Sequence, residues 1–169
     1  MLKFKTSSAH SLKYNNLVPP LQLKKNLLQA CQDQMDQKLA QIQKRLAAIR
    51  DSRDNETKSS AGDKYETGRA MMQMEEEKSR HQLAEALNVS ETLKQIKHDR
   101  QSKQVSSGSL VFTNQGVYFI SIGLGKVKLD GQLYFCISPQ APVAQKMVGL
   151  QAGSSFDFQG KLINIQDIY

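Results

Sequence analysis

The chain has 169 residues, of which 39% are aliphatic or aromatic, and a mean hydropathy of −0.51. That balance fits an extended, solvated element beside a modest core and excludes one large globule. The formal charge of +7 is concentrated at one end: residues 1–25 carry five lysines and no acid, 26–100 set 13 basic against 13 acidic residues, and 101–169 set five lysines against three aspartates. No basic stripe with interleaved aromatics runs along the chain, so charge alone does not predict a DNA binder.

Residues 1–22 hold lysines and serines, lack acids and end in Pro19-Pro20. They read as a disordered extension, or as the product of an upstream start codon. No apolar run approaches the roughly 20 residues of a membrane span. Cys31 and Cys136 stand far apart with no metal-ligand spacing, which predicts two free thiols and a cytoplasmic protein. His10, His81 and His98 are scattered, and His81 and His98 read as helix-surface residues.

From about Leu23 the pattern becomes helical. Leu28, Met35, Leu39, Ile42, Leu46 and Ile49 step by sevens, fours and threes, the spacing of a coiled-coil seam. A second helical run covers roughly Glu66 to Arg100, with Met72, Ser79, Leu83, Ala86, Ser90 and Leu93 on one face and Met74, Leu87, Val89 and Ile96 broadening it. Two such helices joined by a short connection pack antiparallel to bury their stripes. The polar segment from Arg50 to Asp63 is the expected turn, giving a hairpin over 23–100 with an acidic tip near 50–66. Met71, Met72 and Met74 read as hairpin core.

Residues 101–109 (QSKQVSSGS) read as a linker. A small domain over 110–169 follows. Leu110–Thr113, Gly116–Ile122, Gln132–Ile137, Ser155–Phe158 and Lys161–Ile168 read as five strands, with a short helix between Ala141 and Leu150. Asp130-Gly131 is a favoured hairpin dipeptide. Most of its aromatics alternate along strands and are expected in the core. The predicted class is α+β.

At the start of helix two, Ser60-Ala-Gly-Asp63-Lys-Tyr-Glu66 resembles the Gly-Asp-x-x-Glu motif of the Gre-type bacterial transcript-cleavage factors. Ile137-Ser-Pro139-Gln-Ala-Pro142 through Gly149-Leu-Gln-Ala-Gly153 is similar to the C-terminal signature of the same family, where Ser-Pro precedes a short helix and a Gly-x-x-x-Gly turn. The family-like architecture spans residues 24–169. Thr67-Gly68-Arg69-Ala70 departs from the family's usual Asn-Ala-Glu-Tyr, and Ser154 stands where an acid is common.

The resemblance implies a coiled-coil hairpin followed by an FKBP-like domain, and a monomer that enters the secondary channel of RNA polymerase. There Asp63 and Glu66 would share Mg²⁺ with the polymerase and promote hydrolysis of backtracked RNA near its 3′ end; the protein would not be an enzyme by itself. Asp51, Asp54 and Glu56 are lesser candidates. Tyr65, Arg69, Pro139 and Pro142 are candidate partner contacts, with Arg69 suited to a phosphate. Asp63 and Glu66, three residues apart, also fit a helix N-cap and its N3 partner, a purely structural role. Other readings are a Gre-like regulator that modulates polymerase without cleavage, and a coiled-coil scaffold or chaperone.

Overall fold

The computed structural model describes residues 18–56, 64–97, 99 and 101–169. Helix α1 covers Pro20–Glu56 and α2 covers Lys64–Lys94. Strands β1 (Leu110–Thr113), β2 (Gly116–Ile120), β3 (Gly125–Leu129) and β4 (Gln132–Ile137) follow, then helix α3 (Pro142–Met147), β5 (Ser155–Phe158) and β6 (Lys161–Ile168). The protein is α+β. It divides into two compact units, Cys31–Gln95 and the residues up to Ala30 together with Ile96–Tyr169.

Several boundaries differ from expectation. Helix α1 begins at Pro20, three residues early, because proline's fixed φ suits a first helical turn whose N–H groups lack partners anyway. It continues through Arg50–Glu56, the stretch expected to turn, since those polar residues include no helix breaker. Helix α2 ends at Lys94, short of Arg100, which lies outside the described residues as does His98. Residues 1–17 of the N-terminal extension lie outside them too.

In the helical unit, Arg45 donates to Gln82 and Arg53 to Glu76. Moving forward on α1 means moving back on α2, so the pair is antiparallel. Cys31, Met35, Ile42 and Leu46 of α1 and Ala86 and Leu93 of α2 are buried. Met72 is half-buried, but Met71 and Met74 are 68% and 71% exposed, against their expected place in the core. The seam spacing passes through Met72, and its neighbours face outward.

Ser79 is fully buried on the same seam, and its Oγ has no hydrogen-bond partner. An unpaired buried hydroxyl costs about 1–3 kcal/mol, and alanine is the better helix former. Ser79→Ala is therefore expected to stabilise the protein by about 1 kcal/mol, read as a higher denaturant midpoint at constant m-value. A lower midpoint would contradict the unpaired state of that hydroxyl.

The sheet has six strands in the order β3-β4-β2-β1-β6-β5, with β2 and β4 parallel and every other neighbouring pair antiparallel. The unexpected strand is β3. Only Val127 in it is buried, and one glycine and two lysines dilute the strand signal. Asp130 and Gly131, both at positive φ, close the β3–β4 hairpin in two residues, as Gln159 and Gly160 close β5–β6.

One face of the sheet contributes Val111, Ile120, Ile165 and Ile168 to a core with Val105 and with Ala144 and Met147 of α3. The opposite face buries Leu110, Val117, Phe119 and Cys136. Both cysteines are buried and neither forms a disulfide.

The segment 101–109 is packed and is not a free linker. Val105 exchanges backbone hydrogen bonds with Gly149 and Leu150, and Gly108 donates to Ile120 O at 2.6 Å. Gly108 has φ +85°, and a Cβ there would lie 3.1 Å from Ile96 Cγ2. Gly108→Ala should cost roughly 1–2 kcal/mol in left-handed strain, before any displacement of Ile96. Chemical denaturation measures it, and an unchanged midpoint would show that the turn is not strained.

Candidate functional site at the end of the helical hairpin

The last two turns of α1 and the first four of α2 carry most of the charge of the helical unit. Glu66 lies in the first turn of α2 and is solvent-exposed, a position where the helix dipole favours a carboxylate. Tyr65 belongs to the same turn. Asp63 falls outside the described residues, so its place relative to Glu66 is not part of the structure. Asp51 and Asp54 are exposed on α1, and Arg53 Nε lies 3.5 Å from Asp54 Oδ1. Glu56 is the last residue of α1.

The best-defined charged cluster sits a few turns below. Met72, Ser79, Ala86 and Leu93 are seven residues apart on α2, and Glu76, Leu83 and Ser90 form the second row of the same seam. On α1 the row Leu39–Leu46 arrives, seven residues later, at Arg53. The apolar seam therefore ends in an ion pair. Arg53 Nη1 donates to Glu76 Oε2 at 3.0 Å, and Arg80 Nη2 and Nε donate to Oε1 at 2.7 and 3.2 Å. Arg50 Nε lies 3.7 Å from Oε1. The Glu76 side chain is only 9% exposed, whereas its three arginines are 43–61% exposed.

The hydrogen bonds from Arg80 hold the Glu76 carboxyl below its ordinary pKa; partial burial opposes them, and the charges of Arg80, Arg53 and Arg50 reinforce them. Arg53, Arg69, Gln73, Glu76, Glu77 and Arg80 line an open groove of about 530 Å³. Arg69, chosen from the sequence as a phosphate contact, is thus brought beside Arg53 and Arg80. Three guanidinium groups against the carboxylates of Glu76 and Glu77, with Arg50 beside Glu76, leave the groove cationic by a small margin and suited to an anion.

The remaining sequence candidates lie in the other unit. Pro139 is half-buried in the turn where Ala141 N–H donates to Ser138 O, and Pro142 is exposed at the first position of α3. His81 is exposed on α2 and sits 3.6 Å from Glu85, as a helix-surface residue should. Among the described residues, no group of three His, Cys, Asp or Glu side chains is arranged to hold a metal, and no helix is long and apolar enough to cross a membrane.

Sequence reasoning placed Arg50 and Arg53 only within the expected turn, and missed Glu76 and Arg80. The signal was present: Glu76 stands seven residues before Leu83 in the seam, where a charge requires a partner. Comparison of the chain with family models, curated proteins and solved structures gave no match.

Proposed function

We propose that this protein is a polymerase-binding elongation factor of the Gre type, with a coiled-coil arm and an FKBP-like β-rich unit. The arm enters the secondary channel of RNA polymerase, and Asp63 and Glu66 support hydrolysis of backtracked RNA. The observation that carries this reading is the position of Glu66: an exposed carboxylate in the first turn of α2, three residues after Asp63 and next to the connection between two antiparallel helices.

Mg²⁺ suits such a pair, because it binds through one or two carboxylates and keeps its other positions for water and phosphate. When bound, it supplies an activated water and stabilises charge at the leaving oxygen. The chain's own share is two hard oxygen donors and, from Arg69 and its neighbours, a cationic wall for RNA phosphates. The polymerase completes the site.

A second reading is favoured by the arginine cluster. Arg50, Arg53, Arg69 and Arg80 disfavour a cation near the arm's end, as do the residues Thr67-Gly68-Arg69-Ala70 that depart from the family motif. On that reading the protein occupies the channel and modulates elongation without cleavage. Adding it to a halted, backtracked polymerase with Mg²⁺ separates the two. Short 3′ RNA products are expected; slowed elongation without products would establish the second reading, and no binding at micromolar protein would defeat both.

A further inference from the structure

The sheet is about 24 Å wide, six strands at about 4.8 Å. Helix α3 has six residues and a diameter near 10 Å, so it cannot cover one whole face. Its buried residues Ala144 and Met147 pack with Val111, Ile120, Ile165 and Ile168, which lie on β1, β2 and β6. Tyr118 of β2 and Ile137 of β4 pack against the edge of this cluster, and the β3 side of that face extends beyond it.

Strand register shows what occupies the open end. Tyr118 pairs with Phe135, Lys126 pairs with Phe135, and Lys128 pairs with Leu133, so all five side chains share one face. The Tyr118 and Phe135 rings stack with centroids 5.0 Å apart and planes at 22°. Both rings are half-buried; Leu133 is 54% exposed, and Lys126 and Lys128 are exposed. The nearest acid along these strands, Asp130, lies in the β3–β4 turn. Its charge, secondary to burial, helps push up the pKa of Tyr134, which belongs to the opposite face.

Aromatic and basic residues are thus interleaved, but across three strands rather than along the chain. We propose that this end of the sheet binds an unpaired polynucleotide strand, with Phe135, backed by Tyr118, as the stacking ring and Lys126 and Lys128 as the phosphate contacts. Partly exposed rings flanked by lysines match a strand that offers base faces and phosphates at short, regular spacing. A duplex hides its base faces, and an acidic peptide has none to stack. Neither contact uses a 2′ hydroxyl, so RNA and DNA strands bind alike. The site does not depend on the hairpin reading, since it needs neither polymerase nor Asp63 and Glu66.

The test is binding of the full chain to labelled oligouridylate and oligothymidylate of about 12 nucleotides at about 50 mM salt. Lys126→Gln with Lys128→Gln changes only exposed side chains. It should weaken both equally and reduce the salt dependence, by about 0.7 in the logarithmic slope for each lost phosphate contact. Phe135→Leu keeps most of the apolar bulk and should weaken binding about tenfold or more through lost stacking. The proposal is overturned if the chain binds neither strand. It is equally overturned if the lysine variant binds as the parent does, which would place binding elsewhere, or if duplex DNA or polyglutamate competes as well as the single strands.

Discussion

Asp63→Asn is expected to abolish RNA cleavage while leaving the melting temperature unchanged. Asparagine caps a helix as well as aspartate does, so the start of α2 loses nothing. A charged oxygen ligand is lost, however, and a metal's electrostatic contribution to phosphoryl transfer amounts to several kcal/mol. At about 1.36 kcal/mol per factor of ten, cleavage should fall on the order of a hundredfold or more. Glu66→Gln should act in the same direction, since that carboxylate is exposed and no ion pair accounts for it among the described residues. Both variants must still bind polymerase. Full cleavage by Asp63→Asn would leave the acidic pair with its capping role alone.

Glu76→Gln should destabilise the protein more than Glu77→Gln, although the two acids are neighbours in the same groove. Glu77 is exposed and Glu76 is not. Removing the Glu76 charge leaves Arg50, Arg53 and Arg80 facing one another without their shared counterion. Replacing Glu76 and Arg53 together by leucine extends the apolar seam, and should recover part of what Glu76→Leu alone loses. The pH dependence has a fixed sign. The hydrogen bonds from Arg80 and the neighbouring arginine charges hold the folded-state pKa of Glu76 below that of the unfolded chain, so its contribution is complete above the unfolded-state pKa, about 4.3. It is lost as pH falls through the lower folded-state value. Melting curves from pH 6 downward should therefore fall more steeply for the parent than for Glu76→Gln, with the two converging in acid. Parallel curves would mean that Glu76 titrates as it does in the unfolded chain.

The helices were legible because their burial repeats every seven residues over several turns. Leu28, Met35 and Ile42 state the seam of α1 without help from any other part of the chain. The same rule failed where the seam carries charge: periodicity counts apolar residues, so Arg53 and Glu76 dropped out of the pattern they complete. It also drew Met71 and Met74 inward, because methionine suits a core as well as a surface. In the sheet, β2 and β4 announce themselves with β-branched and aromatic runs. Strand β3 is an edge held by Val127 and by backbone pairing to β4, and pairing between distant strands leaves no local trace. The packing of residues 101–109 was hidden for the same reason: serine and glutamine there are chosen for the hydrogen bonds of a tight connection, a composition that a flexible tether shares.

Strand β6 occupies an interior place in the sheet, with β1 on one side and β5 on the other. During synthesis, α1 and α2 can pair as soon as residue 95 leaves the ribosome, while β1 must wait for Lys161–Ile168 before one of its edges is closed. A ribosome halted just before Lys161 would release a finished hairpin attached to a sheet with an open, sticky border. Truncation before Lys161 should therefore yield aggregates rather than a smaller working protein.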